Sequence, residues 1–395
     1  MSDSFRPIRA RIDLSALQNN LQQVSKLAPN SKILAVIKAN GYGHGLLTVA
    51  KALSQADGFA VASLDEAIKL RQAGFLHPIL LLEGVFSEAE WRFVLHYRLD
   101  TVIHHFQQLE WFIKIRQTNA IHAPTVKIPS PALTKSRLPS IWLKCDTGMH
   151  RLGFLAQEMF ALKQQLMQLE KVHTVWMSHF ATADEDLSFA QAQLQQFLQQ
   201  VPAEGLKSFA NSAAIQHLPA SQLDWVRPGI MLYGVADENP ACDTKVQLKP
   251  AMIFEAQVIA LKKLQPGDCV GYGCDFIAQK PMQLAILAVG YGDGYLRQIA
   301  NHPKASVFYQ GQCLPIVGRV SMDMLTIDVS SVAKQIRLGH WVELWGRNLP
   351  VQEVASWANT ISYELLCGVA QRVPRMAIES DQSNTTSESF HEKTD

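Results

Sequence analysis

The residues best placed to do chemistry begin with a lysine set before three alternating glycines, Lys38-Ala39-Asn40-Gly41-Tyr42-Gly43-His44-Gly45. A lysine buried at the mouth of a pocket loses hydration and its pKa falls. The neutral amine is then a nucleophile or base suited to Schiff-base chemistry. The glycines let backbone approach a ligand closely, and Tyr42 offers a hydroxyl to an anionic group such as a phosphate. The plainer alternative is an exposed lysine beside an ordinary turn.

Further along, Lys144-Cys145-Asp146-Thr147-Gly148-Met149-His150-Arg151 ends in a guanidinium whose rigid planar fork suits an oxyanion. Pairing with a surface carboxylate is its commoner fate. Ser178-His179-Phe180 carries an imidazole ahead of Asp184, Glu185 and Asp186. Those carboxylates suit the positive end of the next helix better than a metal, so no metal is expected. Ala210-Asn211-Ser212 and Val226-Arg227-Pro228-Gly229-Ile230 offer a hydroxyl and the backbone N–H groups of Gly229 and Ile230 to a phosphate, although separately they read as a helix cap and a turn. Three later strings, Val270-Gly271-Tyr272-Gly273, Val289-Gly290-Tyr291-Gly292-Asp293-Gly294 and Gly318-Arg319-Val320-Ser321-Met322-Asp323, fit strand or core positions when taken alone.

The elements that must position these groups alternate regularly. Apolar runs near Ile33–Ile37, Phe59–Ala62, Ile79–Leu82, Thr101–Ile103, Ile141–Cys145, Val172–Met177, Ser208–Ala210 and Trp225–Val226 read as buried strands. Amphipathic helical patterns follow most of them, as at Leu64–Ala73, Glu88–His96, Gln157–Leu169 and Leu187–Gln199. This succession predicts a closed (β/α)8 barrel, with an open doubly wound sheet as the competing topology. Barrel active sites lie at the C-terminal ends of the strands. Lys38, Arg151, His179, Asn211, Ser212 and Arg227 all fall just after a predicted strand.

At 395 residues the chain is long enough for two domains. The predicted division is an α/β barrel over 1–240, a mostly β domain of short alternating strands over 241–379, and a disordered Ser/Thr/Glu/Asp-rich tail over 380–395. A strand near Ile8–Ile12, able to join the second domain, precedes a helix capped by Asp13 or Ser15. Proline-rich 120–140 reads as a surface excursion. The formal charge of +1 and the lack of a dense basic block make nucleic acid and anionic membrane poor partners. Without an N-terminal apolar core or a run of about 20 apolar residues, the expectation is a soluble cytoplasmic protein. Six cysteines without a CxxC pair are expected to be reduced.

Taken together and in this order, the strings from about residue 6 to 378 resemble those of the alanine racemases. The resemblance implies a fold-type III enzyme that uses pyridoxal 5'-phosphate (PLP), with Lys38 as the Schiff-base lysine. Tyr42, Ser212, Gly229 and Ile230 then hold the phosphate, and His179 packs near the pyridine ring. Arg151 bonds the cofactor's phenolic oxygen and helps place the substrate carboxylate, and Lys144 matches a lysine often carbamylated to steady that arginine. His150 departs from the glycine or similarly small residue expected before the arginine. Tyr272 is implied as a second base given by the other subunit, so the partner is a second copy in a homodimer that shares its active sites. Its unperturbed pKa near 10 would have to fall by 1–2 units, at about 1.4–2.7 kcal/mol, which Arg151 could supply by way of His179. Tyr291 and Tyr363 are implied at a narrow entrance, and Met322 at the substrate carboxylate through its N–H.

Arg227 is implied beside the pyridine nitrogen, where a guanidinium of pKa above roughly 12 cannot supply a proton. The cofactor is then a weaker electron sink, which favours simple removal and return of the α-proton. Racemisation needs a base on each face, here Lys38 and Tyr272. The implied activity is interconversion of L- and D-alanine, feeding D-alanine to peptidoglycan. Rivals are a broader-specificity racemase or decarboxylase of the same fold, against which the crowded tyrosines speak, and a non-catalytic PLP-homeostasis barrel, which would lack the second domain.

Overall fold

The structure, a computed structural model, describes residues 5–118, 139–167, 169, 172–236 and 246–379. Apart from Pro139 and Ser140, the excursion expected over 120–140 lies outside the described residues, as do the tail over 380–395 and Cys242.

The chain opens with strand β1 (Ile8–Asp13). Eight parallel strands follow: β2 (Lys32–Val36), β3 (Gly58–Val61), β4 (Ile79–Leu81), β5 (Asp100–Ile103), β6 (Ile141–Lys144), β7 (Thr174–Met177), β8 (Leu206–Ser208) and β9 (Trp225–Val226). They pair in chain order, and Lys32↔Trp225 with Ile33↔Val226 returns β9 to β2, closing a barrel. Ile33 to Val36, Phe59 to Val61 and Ile79 to Leu81 are buried on both faces, so their sequences run apolar without alternation. β8 differs from its expected span of Ser208–Ala210. Its Leu206 is exposed and Lys207 and Ser208 are polar, so no apolar run marks it, whereas buried Phe209 and Ala210 belong to the following turn. Helix α1 (Leu14–Leu27) is capped by Asp13, whose carboxylate accepts from the Ala16 N–H at 3.0 Å, and it buries Leu17, Leu21 and Val24 against the barrel.

The second domain is built on β10 (Met252–Leu264), β11 (Cys269–Val270), β12 (Phe276–Ile277), β13 (Met282–Leu287), β14 (Ser306–Tyr309), β15 (Gln312–Pro315), β16 (Leu325–Asp328), β17 (Trp341–Trp345) and β18 (Arg375–Ile378). Its main sheet runs β15-β14-β17-β10-β1-β18, with β13 joining β10 to β16. β1 pairs antiparallel with β10 and parallel with β18, so the first strand of the chain lies in the sheet of the second domain. β11 and β12 form a separate antiparallel ribbon. The helix Ser362–Gly368 leans over the barrel mouth so closely that a Cβ at Gly43 would lie 1.9 Å from the Leu366 carbonyl oxygen. Only glycine fits there.

The turn between β11 and β12 brings the Cα atoms of Cys269 and Cys274 to 5.1 Å, near enough for the two sulfurs to meet, while Cys145, Cys313 and Cys367 are free. Among the described residues no helix is long and apolar enough to cross a membrane.

Candidate active site

A cavity of about 580 Å³ opens at the C-terminal ends of the barrel strands. Its lining includes Lys38, Tyr42, Lys144, Arg151, His179, Ser212, Arg227, Gly229 and Ile230, together with Tyr363 from the second domain. Each barrel residue in that set follows or ends a strand, so barrel closure alone brings together groups almost 200 positions apart in the sequence.

The Lys38 loop is held in an uncommon shape. Ala39, Asn40, Gly41 and Tyr42 take φ values of 53°, 55°, 63° and 49°, a left-handed turn that costs roughly 1–2 kcal/mol for each non-glycine residue. Its cost is offset by a dense set of bonds. Glu66 accepts from the Asn40 N–H at 3.1 Å, and Asn40 Oδ1 accepts from the Leu46 N–H at 2.9 Å. His44, fully buried, directs Nδ1 at the carbonyls of Tyr42 (2.8 Å) and Gly41 (3.1 Å), and Arg375 donates to the Gly43 carbonyl. Burial lowers the His44 pKa to about 4, so the ring is neutral. Tyr42 stacks on Tyr233 with ring centroids 4.6 Å apart, and Tyr233 in turn donates to the Val36 carbonyl at 3.1 Å. Burial raises the Tyr42 pKa, which keeps its hydroxyl a donor.

Four cations face the cavity. Arg227 is buried and donates to Ser208 Oγ at 2.6 Å and to the Ser178 carbonyl at 2.5 Å, with His179 Nδ1 3.4 Å away. Burial brings it down to about 10, which leaves it a cation at neutral pH. Lys144 is pulled down to about 7 by burial and by Arg227, Arg151 and Lys38. Burial and these same cations hold His179 well below the usual imidazole range. Among the described residues no ion pair engages Lys38, Lys144, Arg151 or Arg227. Such an excess of positive charge in a largely enclosed site calls for an anionic ligand.

At the far end, Ser212 Oγ accepts from the Gly229 N–H at 2.9 Å and the Met231 N–H at 3.4 Å, leaving its own hydrogen for a ligand. The cap reading holds as well, since Asn211 Oδ1 accepts from the Ala214 N–H at 3.0 Å. His150 has a left-handed φ of 53°, with its N–H and Nδ1 both turned to Asp146. A glycine would adopt that backbone without strain, and here the Asp146 contacts hold the larger residue in it.

Tyr272, Tyr291 and Met322 do not line this cavity. They gather instead on an exposed face of the second domain. The Gly292 N–H donates to the Met322 carbonyl at 2.8 Å, and Gly318 and Arg319 lie against Val270 and Gly271. Tyr272 is 69% exposed and Met322 54%, so neither is a core residue. The Tyr291 turn is fixed by buried Asp293, which accepts from the Gly290 N–H and pairs with Arg6 (2.7 Å) and Arg372 (2.8 Å). Tyr363 stands apart from Tyr291, at the cavity mouth, with its ring 5.9 Å from that of Tyr42. Sequence reasoning missed Glu83 and Cys367 in the lining. Glu83 follows β4 almost directly and the strand-end rule finds it; Cys367 comes from the second domain and carries no such signal.

The family model described as alanine racemase, N-terminal domain, matches residues 12–237, and the C-terminal domain model matches 251–377. The chain belongs to the alanine racemase family. It is 43% identical over 380 residues to the alanine racemase of Nitrosomonas eutropha, covering 95% of this chain and 99% of that one. Among solved structures, the biosynthetic alanine racemase of Pseudomonas aeruginosa is 40% identical with a TM-score of 0.84, covering 95% of this chain and all of that one. The Bartonella henselae alanine racemase with covalently bound pyridoxal phosphate is 30% identical with a TM-score of 0.80, covering 94% and 99%. Alanine racemases are PLP-dependent isomerases, and the cavity fits that cofactor. Its cations suit a phosphate and a phenolate, its lysine suits a covalent carbonyl link, and a Cβ at Gly229 would lie 2.5 Å from Tyr42 Oη, so glycine there leaves that hydroxyl room.

Proposed function

We propose that this chain racemises alanine in a dimer, with Lys38 of one copy and Tyr272 of the other as the two bases. The carrying observation is the division of the site: the cation-lined cavity is assembled by one barrel, while Tyr272, Tyr291 and Met322 stand exposed on the second domain and outside it. A second copy that sets this face over the barrel mouth completes the site. Ser212, Tyr42, Gly229 and Ile230 would hold the phosphate of PLP, His179 would pack on its ring, Arg227 would donate to the pyridine nitrogen and Arg151 to the phenolic oxygen. Bound PLP supplies the electron sink that makes the substrate α-proton removable.

The remaining steps belong to the protein. Arg151 and the Met322 N–H orient the substrate carboxylate, which leaves the α-proton directed at one base. Lys38 Nζ, once free of the cofactor, takes or returns that proton on one face, and Tyr272 Oη does so on the other. Arg227 cannot supply a proton, so proton return to the α-carbon competes well against side reactions. Tyr363 and Tyr291 narrow the entrance to small side chains. Lys144, with a pKa brought down to about 7, presents a substantial fraction of free amine at neutral pH. Such an amine adds CO2 with loss of a proton, and the carbamate formed would pair with Arg151. The product D-alanine would serve peptidoglycan synthesis in the cytoplasm.

The test is α-proton exchange with deuterated solvent in Tyr272→Phe, measured from each enantiomer with cofactor absorbance as the control for binding. Exchange lost from L-alanine and retained from D-alanine is expected. Unchanged exchange from both would remove Tyr272 from the reaction.

A further inference from the structure

The loop from Lys38 to Gly45 is bent against its own preferences, and one residue holds it at several points. Ala39, Asn40 and Tyr42 are left-handed although none is glycine. Ala39 and Asn40 are exposed, so the turn has room to relax outward. His44 is fully buried, with Nδ1 2.8 Å from the Tyr42 carbonyl and 3.1 Å from the Gly41 carbonyl. Two acceptors on one nitrogen fix the tautomer. Nδ1 carries the hydrogen, and Nε2 is a bare lone pair without a partner among the described residues. The Gly41 carbonyl also accepts from the His44 N–H at 3.0 Å, whereas the Tyr42 carbonyl has no second donor among the described residues. The imidazole packs on Tyr233 with centroids 4.6 Å apart, and Tyr233 stacks on the Tyr42 ring at the same distance. His44 therefore holds Tyr42 by its carbonyl directly and by its ring through Tyr233.

We propose that His44 is a positioning residue for the cofactor, its Nδ1–H setting the left-handed turn that carries Lys38 and the Tyr42 hydroxyl to the cavity. The proposal rests on the reading of Lys38 and Tyr42 as cofactor ligands. Both line the cavity, and the three residues between them, Ala39, Asn40 and Gly41, are the left-handed ones that fix their separation. A cofactor held by both must find that separation already made. Without the Nδ1–H the Tyr42 carbonyl is buried and unpaired, and the empty loop can relieve its strain. Binding must then rebuild the turn, so affinity falls by the fraction of chains that still hold it. The titratable groups facing the ring are Tyr42 in its own loop, Tyr233 beside it and Arg375 of β18. The Arg375 charge opposes a second ring proton, which keeps His44 a one-hydrogen donor.

The experiment sets donor against ring. His44→Phe keeps a ring beside Tyr233 and gives up the donor; His44→Asn keeps an N–H near the place of Nδ1 and gives up the ring. These variants, Lys38→Ala and Tyr42→Phe are prepared as full-length holoenzyme. Loss of pyridoxal 5'-phosphate into a carbonyl trap is followed by its visible absorbance, with Kd for rebinding, kcat at saturating cofactor and Tm of the cofactor-stripped chain. Expected in His44→Phe is a Kd raised about 10- to 100-fold with kcat at saturating cofactor moved less than about threefold; His44→Asn stays within about threefold of the wild-type Kd. The reverse order, with Phe retaining the cofactor and Asn losing it, would overturn the proposal in favour of ring packing. Wild-type Kd in both would overturn it as well, and so would equal losses with Tm lowered in step, which is general loosening. Should His44→Phe fail to fold, pH decides. A proton added at buried Nε2 sets the ring against Arg375, so cofactor loss from the wild type should quicken about tenfold as pH falls from 6.5 toward 4 while His44→Asn lacks that rise. The same rise in both overturns the proposal. Lys38→Ala and Tyr42→Phe separate the two readings: cofactor held as tightly as by wild type in both removes the ligand reading and the proposal together, whereas weakened binding there with a wild-type Kd in His44→Phe removes the proposal alone.

Discussion

The barrel mouth and the exposed face of the second domain use opposite means to hold reactive groups. At the mouth, side chains are buried, neutralised or bonded several times over; Arg227 reaches two oxygens within 2.6 Å, and His44 fixes two carbonyls of the Lys38 loop. On the second domain, Tyr272 and Met322 stand in solvent and depend on backbone for position. A group that must meet a ligand inside one chain can be pre-organised by that chain's core. A group that must reach into another copy has to remain exposed until the copies meet, so its order comes from turns and from buried Asp293 beneath the Tyr291 turn.

This contrast is open to direct attack. Lys38→Ala should lower kcat for alanine by about 10³-fold or more, since the proposed base and the proposed covalent anchor are lost together, and the visible spectrum of the bound cofactor should change with it. Tyr272→Phe should cost about 10²- to 10³-fold with Tm unchanged, because the side chain supports nothing in its own chain. Mixing the two inactive variants and allowing subunits to exchange should restore roughly a quarter of wild-type activity, as half the dimers would then carry one intact site of two. No recovery on mixing would mean that each chain completes its own site.

A smaller effect tests the barrel side by pH. Folding lowers the His44 pKa from 6.5 to about 4, so between those values the unfolded chain binds more protons than the folded one. The stability linked to this group is therefore fully present above about pH 6.5 and is lost as pH falls through 4, on the order of 3 kcal/mol in all. Thermal denaturation from pH 7 to 4 should show that decline, and His44→Gln should flatten it. The smallest change is expected from Asp275→Asn, which removes an exposed ion pair near Tyr272 and should leave Tm essentially unaltered.

Much of this was legible in the order of residues. Most of the barrel strands announce themselves because they are buried on both faces, and where one is not, as at Leu206–Ser208, the expected span slips. Lys38, His179, Ser212 and Arg227 are legible because a barrel exposes chemistry only past its strand ends. The approach of Cys269 to Cys274 was not, since its spacing matches no common pattern and only the fold of the turn brings their Cα atoms to 5.1 Å. Nor was the left-handed run from Ala39 to Tyr42, whose strain is tolerated only because Glu66, His44 and Arg375 converge on it from other elements.

The sequence by itself determined the alternation of strands and helices, the family and the kinds of side chain available, because periodicity and motif are local properties of the chain. Tertiary structure decided the charge state of Lys144, the neutrality of His44 and His179, and the separation of Tyr272 from Lys38. Each of these depends on burial or on distance between segments remote in sequence, and only the closed fold sets them.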